Sequence, residues 1–125
     1  MSGWLVLAVA AGGSVGAPAR FLADRLVADR VETDFPLGTY LVNMSGALLL
    51  GLLTGLGLAH HLPPTVEALL GTGFCGAYTT FSTWTYETVR LLIEGELRAG
   101  VLNVVASLGV GLLAAGAGLA LGLAT

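Results

Sequence analysis

The stretch that decides the fold is GTGFCGAYTTFSTWTYE, residues 71–87. Three glycines lie close together in its first half, and hydroxyl side chains dominate its second half. The stretch belongs to an apolar window, so it is expected at membrane depth, where backbone that leaves helical geometry must be covered by protein or line a wet cavity. We therefore predict a broken membrane helix with a hydroxyl-rich site. The alternative is that small and hydroxylated residues only permit close helix packing.

The rest of the chain has the composition of a membrane protein. Its 125 residues are 55% hydrophobic and 10% charged, with a mean hydropathy of +0.87, whereas soluble domains carry about 25% charged residues. A helix needs about 20 mostly apolar residues to cross a bilayer. Four uncharged windows predict an all-α, multi-pass protein of the cell (inner) membrane, with one transmembrane domain over residues 1–125 and helices near 3–29, 35–59, 63–93 and 97–123.

Several function classes are excluded by charge and context. Five arginines and no lysine stand against eight acidic residues, so nucleic acid is not an expected partner. The sequence GGSVG at residues 12–16 has the spacing of a hydrolase nucleophile elbow, but it lacks the strand and triad that this chemistry needs. We therefore do not expect an enzyme. Cys75, the only cysteine, is expected to be a small core residue.

Polar side chains inside the apolar windows are the candidate functional groups, because such groups cost free energy in lipid unless they are partnered. They include Asn43, Glu87, Asn103 and Ser107. The amide of Asn43 offers two hydrogen-bond donors without a charge, so it can bind an anion without trapping it. An interhelical hydrogen bond is the other interpretation of Asn43.

Phe81 and Trp84 are three residues apart on the third helix, with Glu87 three residues further, so they share one face. The edge of an aromatic ring is positive and can attract a small anion. Hydroxyl hydrogens can replace water around a strongly hydrated anion. The neighbouring hydroxyl side chains are those of Thr79, Thr80, Ser82 and Thr83.

Oligomerisation is expected because the four helices of a single subunit enclose too little volume for a water-filled pore. Glycine pairs spaced four apart, at 12 and 16, 51 and 55, and 118 and 122, indicate tight helix contacts. Arg25, Arg30 and Arg98 fall on the same membrane face, which favours termini outside the cytoplasm under the positive-inside rule.

Three segments together resemble the Fluc (CrcB) family of small fluoride channels: GAPAR at 16–20, PLGTYLVNMSG at 36–46, and the opening stretch at 71–87. The resemblance covers nearly the whole chain. It implies a homodimer of four-helix subunits inserted in opposite orientations, with two fluoride pathways along the subunit interface. It also implies a passive channel that exports cytoplasmic fluoride without ATP or proton coupling.

The resemblance also implies roles for individual residues. Asn43 matches a pore-lining asparagine, Phe81 the first of two phenylalanine rings, and Trp84 the position of the second ring. The fluoride pathway implied in this way consists of Asn43, Phe81, Ser82, Thr83, Trp84, Glu87, Thr80, Ser107 and Arg20. Within it, Glu87 matches a buried carboxylate and Arg20 an arginine that draws anions into a vestibule.

A structural sodium ion on the dimer axis is implied as well, held by the main-chain carbonyls of Gly76 and Thr79 from each subunit. Carbonyl oxygens freed by an interrupted helix are suitable ligands for a hard cation, since lipid offers them no partner.

Two other functions remain open from the sequence. One is a proton-coupled exporter of organic cations built from an antiparallel pair of four-helix subunits. Such an exporter needs a membrane-embedded carboxylate in the first helix, whereas the first acidic residue here is Asp24, at the far end of that helix. The other is an accessory assembly subunit without transport of its own, which would leave the row of hydroxyls without a purpose.

Overall fold

The computed structural model describes residues 2–125, and within them all regular structure is helical. Helix α1 spans Gly3–Arg30 and α2 spans Leu37–His60. Helix α3 covers residues 64–78, with a first turn at Pro64–Val66, a π-helical stretch at Glu67–Cys75 and a last turn at Gly76–Tyr78. Helix α4 spans Ser82–Ile93 and α5 spans Leu97–Ala124.

Three of these helices, α1, α2 and α5, are long and apolar enough to cross a membrane, as counted over residues 2–125. Most of their large apolar side chains are exposed, including Trp4, Leu112 and Leu113. Contiguous apolar surface of this extent is typical of a protein that faces lipid or another subunit. The chain is a multi-pass membrane protein, as its composition predicts.

Helix α3 lies along α1, and glycines let the two backbones touch. A side chain at Gly12 would collide with the carbonyl oxygen of Leu69, and one at Gly16 with that of Phe74. A methyl group on Gly73 would come within 2.6 Å of the Val9 carbonyl oxygen. Small residues at a membrane helix interface permit this close approach.

Helices α2 and α5 pack against each other in the same way. A methyl group on Gly55 would lie 2.5 Å from the Leu119 carbonyl oxygen, and one on Gly122 would lie 2.6 Å from that of Leu52. Gly51 and Gly118 meet backbone atoms of the opposite helix as well. All three glycine pairs are helix contacts, which confirms the prediction made from their spacing.

The turn between α4 and α5 is closed by a glycine in the left-handed region. Gly95 has φ +83°, and the amides of Gly95 and Glu96 donate to the carbonyls of Leu92 and Leu91 at 3.3 and 2.8 Å. This is the Schellman arrangement, which satisfies carbonyls left free at a helix end. The tight turn sends α5 back along α4.

Candidate functional site

The chain leaves helical geometry at Thr79, where ψ is 157°, and resumes it at Ser82. Asn43, on α2, contacts this three-residue interruption. Its Oδ1 accepts the Thr80 N–H at 2.8 Å, and its Nδ2 donates to the Thr80 carbonyl at 2.9 Å. One side-chain amide thus pairs with both polar groups of one residue, as a neighbouring peptide would. The interhelical hydrogen bond, one of the two interpretations of Asn43, is present, and one Nδ2 hydrogen is left over.

This pairing changes the partners of nearby carbonyl groups. In a continuous helix the Gly76 carbonyl would accept the Thr80 N–H, which here goes to Asn43. The Thr79 carbonyl would accept the Thr83 N–H, which here goes to the Thr80 hydroxyl at 3.2 Å. Neither carbonyl accepts a backbone hydrogen bond within residues 2–125. Side chains therefore take the helical amide partners of both carbonyls for which a sodium ion is expected; the Ala77 and Tyr78 carbonyls, which flank the same interruption, also accept no backbone hydrogen bond within residues 2–125.

The hydroxyl groups around the interruption are linked to one another and to the backbone. The Thr80 and Ser82 hydroxyl oxygens are 3.4 Å apart, and the Thr79 hydroxyl donates to the Cys75 carbonyl at 2.8 Å. Thr80 is buried, whereas Ser82 and Thr83 are exposed on this single chain. Cys75 is buried at 2% exposure and is a core residue, as expected.

A groove of about 330 Å³, called here the aromatic groove, runs beside the interruption. The residues that line it are Asn43, Met44, Gly46, Ala47, Leu50, Thr79, Thr80, Phe81, Trp84, Ser107 and Leu108. Phe81 is 76% exposed, and its ring centroid lies 5.3 Å from that of Trp84 with the planes tilted by 50°. No residue in the lining carries a formal charge, so the groove presents ring edges and neutral polar groups.

Trp84 is fixed by hydrogen bonds that connect α4 to α5. Its indole Nε1 donates to the Asn103 carbonyl at 3.3 Å. The Asn103 Nδ2 donates to the Thr88 hydroxyl at 2.8 Å, and this hydroxyl donates to the Trp84 carbonyl at 2.8 Å. Asn103 is completely buried. The sequence shows Asn103 as a polar group in an apolar window, but only the packing identifies its partners.

Arg20 and Glu87 lie in two other cavities. Arg20 lines a cavity of about 180 Å³ together with Asp24, Thr80 and Thr83. Glu87 lines a cavity of about 370 Å³ that also contains Asp24. The Glu87 Oε1 is buried and has no hydrogen-bond partner among the side chains and backbone of residues 2–125.

The structure therefore gathers some of the predicted site residues and separates others. Asn43, Thr80, Phe81, Trp84 and Ser107 line the aromatic groove. Thr80 also lines the Arg20 cavity and is the residue that the two spaces share. The remaining positions, Ser82, Thr83, Glu87 and Arg20, lie outside the lining of the groove.

Comparison with known proteins gives a consistent result over nearly the whole chain. The family model described as "CrcB-like protein, Camphor Resistance (CrcB)" matches residues 7–119. A protein of Leifsonia xyli named "Fluoride-specific ion channel FluC 1" is 49% identical over 122 residues, which cover 98% of this chain and 89% of that protein. A protein of the same name from Streptomyces avermitilis is 50% identical over 92% of this chain and 91% of its own length. Another of that name, from Symbiobacterium thermophilum, is 48% identical over 95% of this chain and 96% of its own length. The resemblance seen in the three segments is thereby confirmed, and the chain belongs to the CrcB-like protein family.

Proposed function

We propose that this chain forms a passive, fluoride-selective ion channel that lets cytoplasmic fluoride leave the cell. The observation that carries the proposal is the uncharged aromatic groove at the helix interruption, in a chain whose relatives bear the name of fluoride channels. Conduction requires a site that compensates an ion for lost water but still releases it. Neutral donors and ring edges meet both conditions, whereas a buried cation would bind the anion strongly.

The donors available to fluoride in the groove are specific hydrogens. Asn43 retains one Nδ2 hydrogen after pairing with Thr80. The Thr80 hydroxyl can reorient, because it can either donate to or accept from the Ser82 hydroxyl, which lies outside the groove lining. Phe81 lines the groove and is 76% exposed on the single chain. Arg20 raises the positive potential at the neighbouring cavity, and Thr80 connects that cavity to the groove. Thr83 and Glu87 border the pathway.

The working unit is a homodimer with the two subunits in opposite orientations. In a single chain the groove is open and Phe81 is 76% exposed, so an anion there would meet lipid on one side. A second copy packed on this face would enclose two grooves and cover the interruption. The segments 64–78 and 82–93 then act together as one membrane crossing, the third of four in chain order, which is broken at the dimer axis.

A structural sodium ion at that axis is part of the proposal. The Gly76 and Thr79 carbonyls lack helical amide partners, and two such carbonyls from each subunit would supply four oxygen ligands to a hard cation. Replacement of sodium by N-methylglucamine during purification is expected to lower fluoride flux and loosen the dimer. Equal flux and dimer stability after exhaustive sodium removal would contradict this role.

Reconstituted vesicles test the transport function directly. Vesicles loaded with potassium fluoride are treated with valinomycin, and fluoride release is followed with a fluoride electrode. We expect fluoride to leave without a proton gradient, and chloride-loaded vesicles to release little chloride. Equal chloride release would contradict selectivity, and absence of release would contradict the channel.

The same vesicles separate the other two functions. A proton-coupled exporter would show proton-dependent uptake of an organic cation, and an accessory subunit would show neither flux. The exporter is disfavoured because the one acidic pair on α1, Asp24 and Asp29, lies in the last third of that helix, which ends at Arg30. The Glu87 Oε1 is the buried side-chain oxygen without a hydrogen-bond partner within residues 2–125, and it lies on α4 instead of α1.

A further inference from the structure

Three hydrogen bonds form a closed ring between α4 and α5, called here the Trp84 ring. The Trp84 indole donates to the Asn103 carbonyl, the Asn103 amide donates to the Thr88 hydroxyl, and this hydroxyl donates to the Trp84 carbonyl. Asn103 is 0% exposed and Thr88 is 7% exposed. The Thr88 hydroxyl both accepts and donates within the ring, so the two bonds that meet at it strengthen each other.

The ring controls which atoms of Trp84 face the aromatic groove. An indole N–H is a stronger donor to an anion than the C–H edge of a ring, and it is a donor only. Because this N–H points to the Asn103 carbonyl, the groove is left with carbon atoms of the indole. Asn103 withdraws a second donor as well, since the Ser107 hydroxyl donates to its Oδ1 at 3.4 Å.

We propose that Thr88 and Asn103 are positioning residues that hold the Trp84 N–H away from the aromatic groove, so that a passing anion meets a weak ring edge and is released quickly. This inference rests on the proposed channel function. Loss of the Thr88 hydroxyl leaves the buried Asn103 amide without its acceptor, which loosens the whole ring. The freed indole N–H then reaches the groove and retains the anion.

The transport test is a double-mutant cycle. Thr88→Val removes the hydroxyl at constant shape, and Thr88→Ser keeps it as the matched control. We expect Thr88→Val to lower fluoride efflux roughly threefold or more, in the range of couplings within one hydrogen-bond network, and Thr88→Ser to preserve it. In a Trp84→Phe background, Thr88→Val should cause no further loss. Equal losses in both backgrounds would overturn the proposal.

A second measurement does not depend on fluoride transport. Protein labelled with ¹⁵N-tryptophan gives two indole N–H signals, and Trp4, which is 70% exposed, is the internal reference; Trp4→Phe assigns the signals. We expect hydrogen exchange at the Trp84 indole to be slow in the parent protein and to accelerate in Thr88→Val. Equal exchange at Trp84 in the two proteins would refute the ring. If the unmodified protein released no fluoride, the channel would be refuted, while slow exchange at Trp84 would still establish the ring.

Discussion

Asn43→Ala tests how the helix interruption is held in place. The substitution removes both hydrogen bonds to Thr80, at 2.8 and 2.9 Å, and leaves the N–H and carbonyl of a residue that is 9% exposed without partners. Asn43→Asp tests the two hydrogen bonds separately, because it keeps one acceptor oxygen and removes the N–H donor. The carboxylate still accepts from the Thr80 N–H, but its second oxygen then faces the Thr80 carbonyl oxygen, and the two repel.

The magnitude follows from these two bonds. A buried polar group left without a partner costs about 1–3 kcal/mol, whereas interhelical hydrogen bonds in membranes average about 0.6 kcal/mol and reach about 1.7. For two bonds to one backbone residue we expect Asn43→Ala to lower the free energy of unfolding by about 2 kcal/mol. Asn43→Asp should cost at least as much, because one bond is replaced by a repulsion.

The assay is unfolding by sodium dodecyl sulfate in mixed micelles, followed by circular dichroism, with fluoride efflux measured on the same preparations. Thr54→Ala is the matched control, because the Thr54 hydroxyl donates only to a carbonyl of its own helix. Its free energy of unfolding and its efflux should stay near those of the parent. Two interhelical hydrogen bonds should together contribute more than about 0.5 kcal/mol. If Asn43→Ala lowers the free energy of unfolding by less than this, the role assigned to Asn43 is refuted.

Three further predictions concern packing, the turn and the groove. Gly55→Ala places a methyl group 2.5 Å from a backbone oxygen, so α2 and α5 must part by roughly 0.9 Å before the contact becomes an ordinary one. We expect about 1–3 kcal/mol of destabilisation. Gly116→Ala, which faces open space, is the control in the same unfolding assay. Gly95→Ala forces φ +83° on a residue with a Cβ and should cost about 1 kcal/mol, while an unchanged unfolding midpoint would disprove the strain. Phe81→Leu removes a ring edge from the groove and should lower fluoride efflux several-fold, whereas Tyr86→Leu, an exposed aromatic outside that lining, should not; equal effects would remove Phe81 from the pathway.

The position of Asn43 shows where inference from the sequence stopped. An amide in an apolar window must find partners, and the sequence left an anion and another helix as alternatives. Its observed partner, Thr80, lies 37 positions further along the chain. Only the packing of α2 beside the interruption brings the two together. The spare Nδ2 hydrogen means that the two interpretations are compatible.

The direction of the Trp84 N–H at the wall of the groove could not be inferred from the sequence either. The sequence shows that Trp84 carries a donor, but it does not show where the donor points. The structure directs it to the Asn103 carbonyl, 19 positions away. This direction depends on the antiparallel packing of α4 on α5, which the short turn at Gly95 sets up.

The membrane class, the placement of the apolar segments and the family could be inferred from the sequence, because these depend on local composition and on motifs in a fixed order. The glycine spacing suggested close helix contacts, but only the packed structure shows which backbones the glycines meet. Which groups became partners depended on helix packing: Asn43 pairs with Thr80, the Gly76 and Thr79 carbonyls lose their helical amides, and the Trp84 ring forms. The physical reason is that a hydrogen bond requires two groups within about 3 Å in the correct orientation, and for groups on different helices this geometry exists only after the helices have packed.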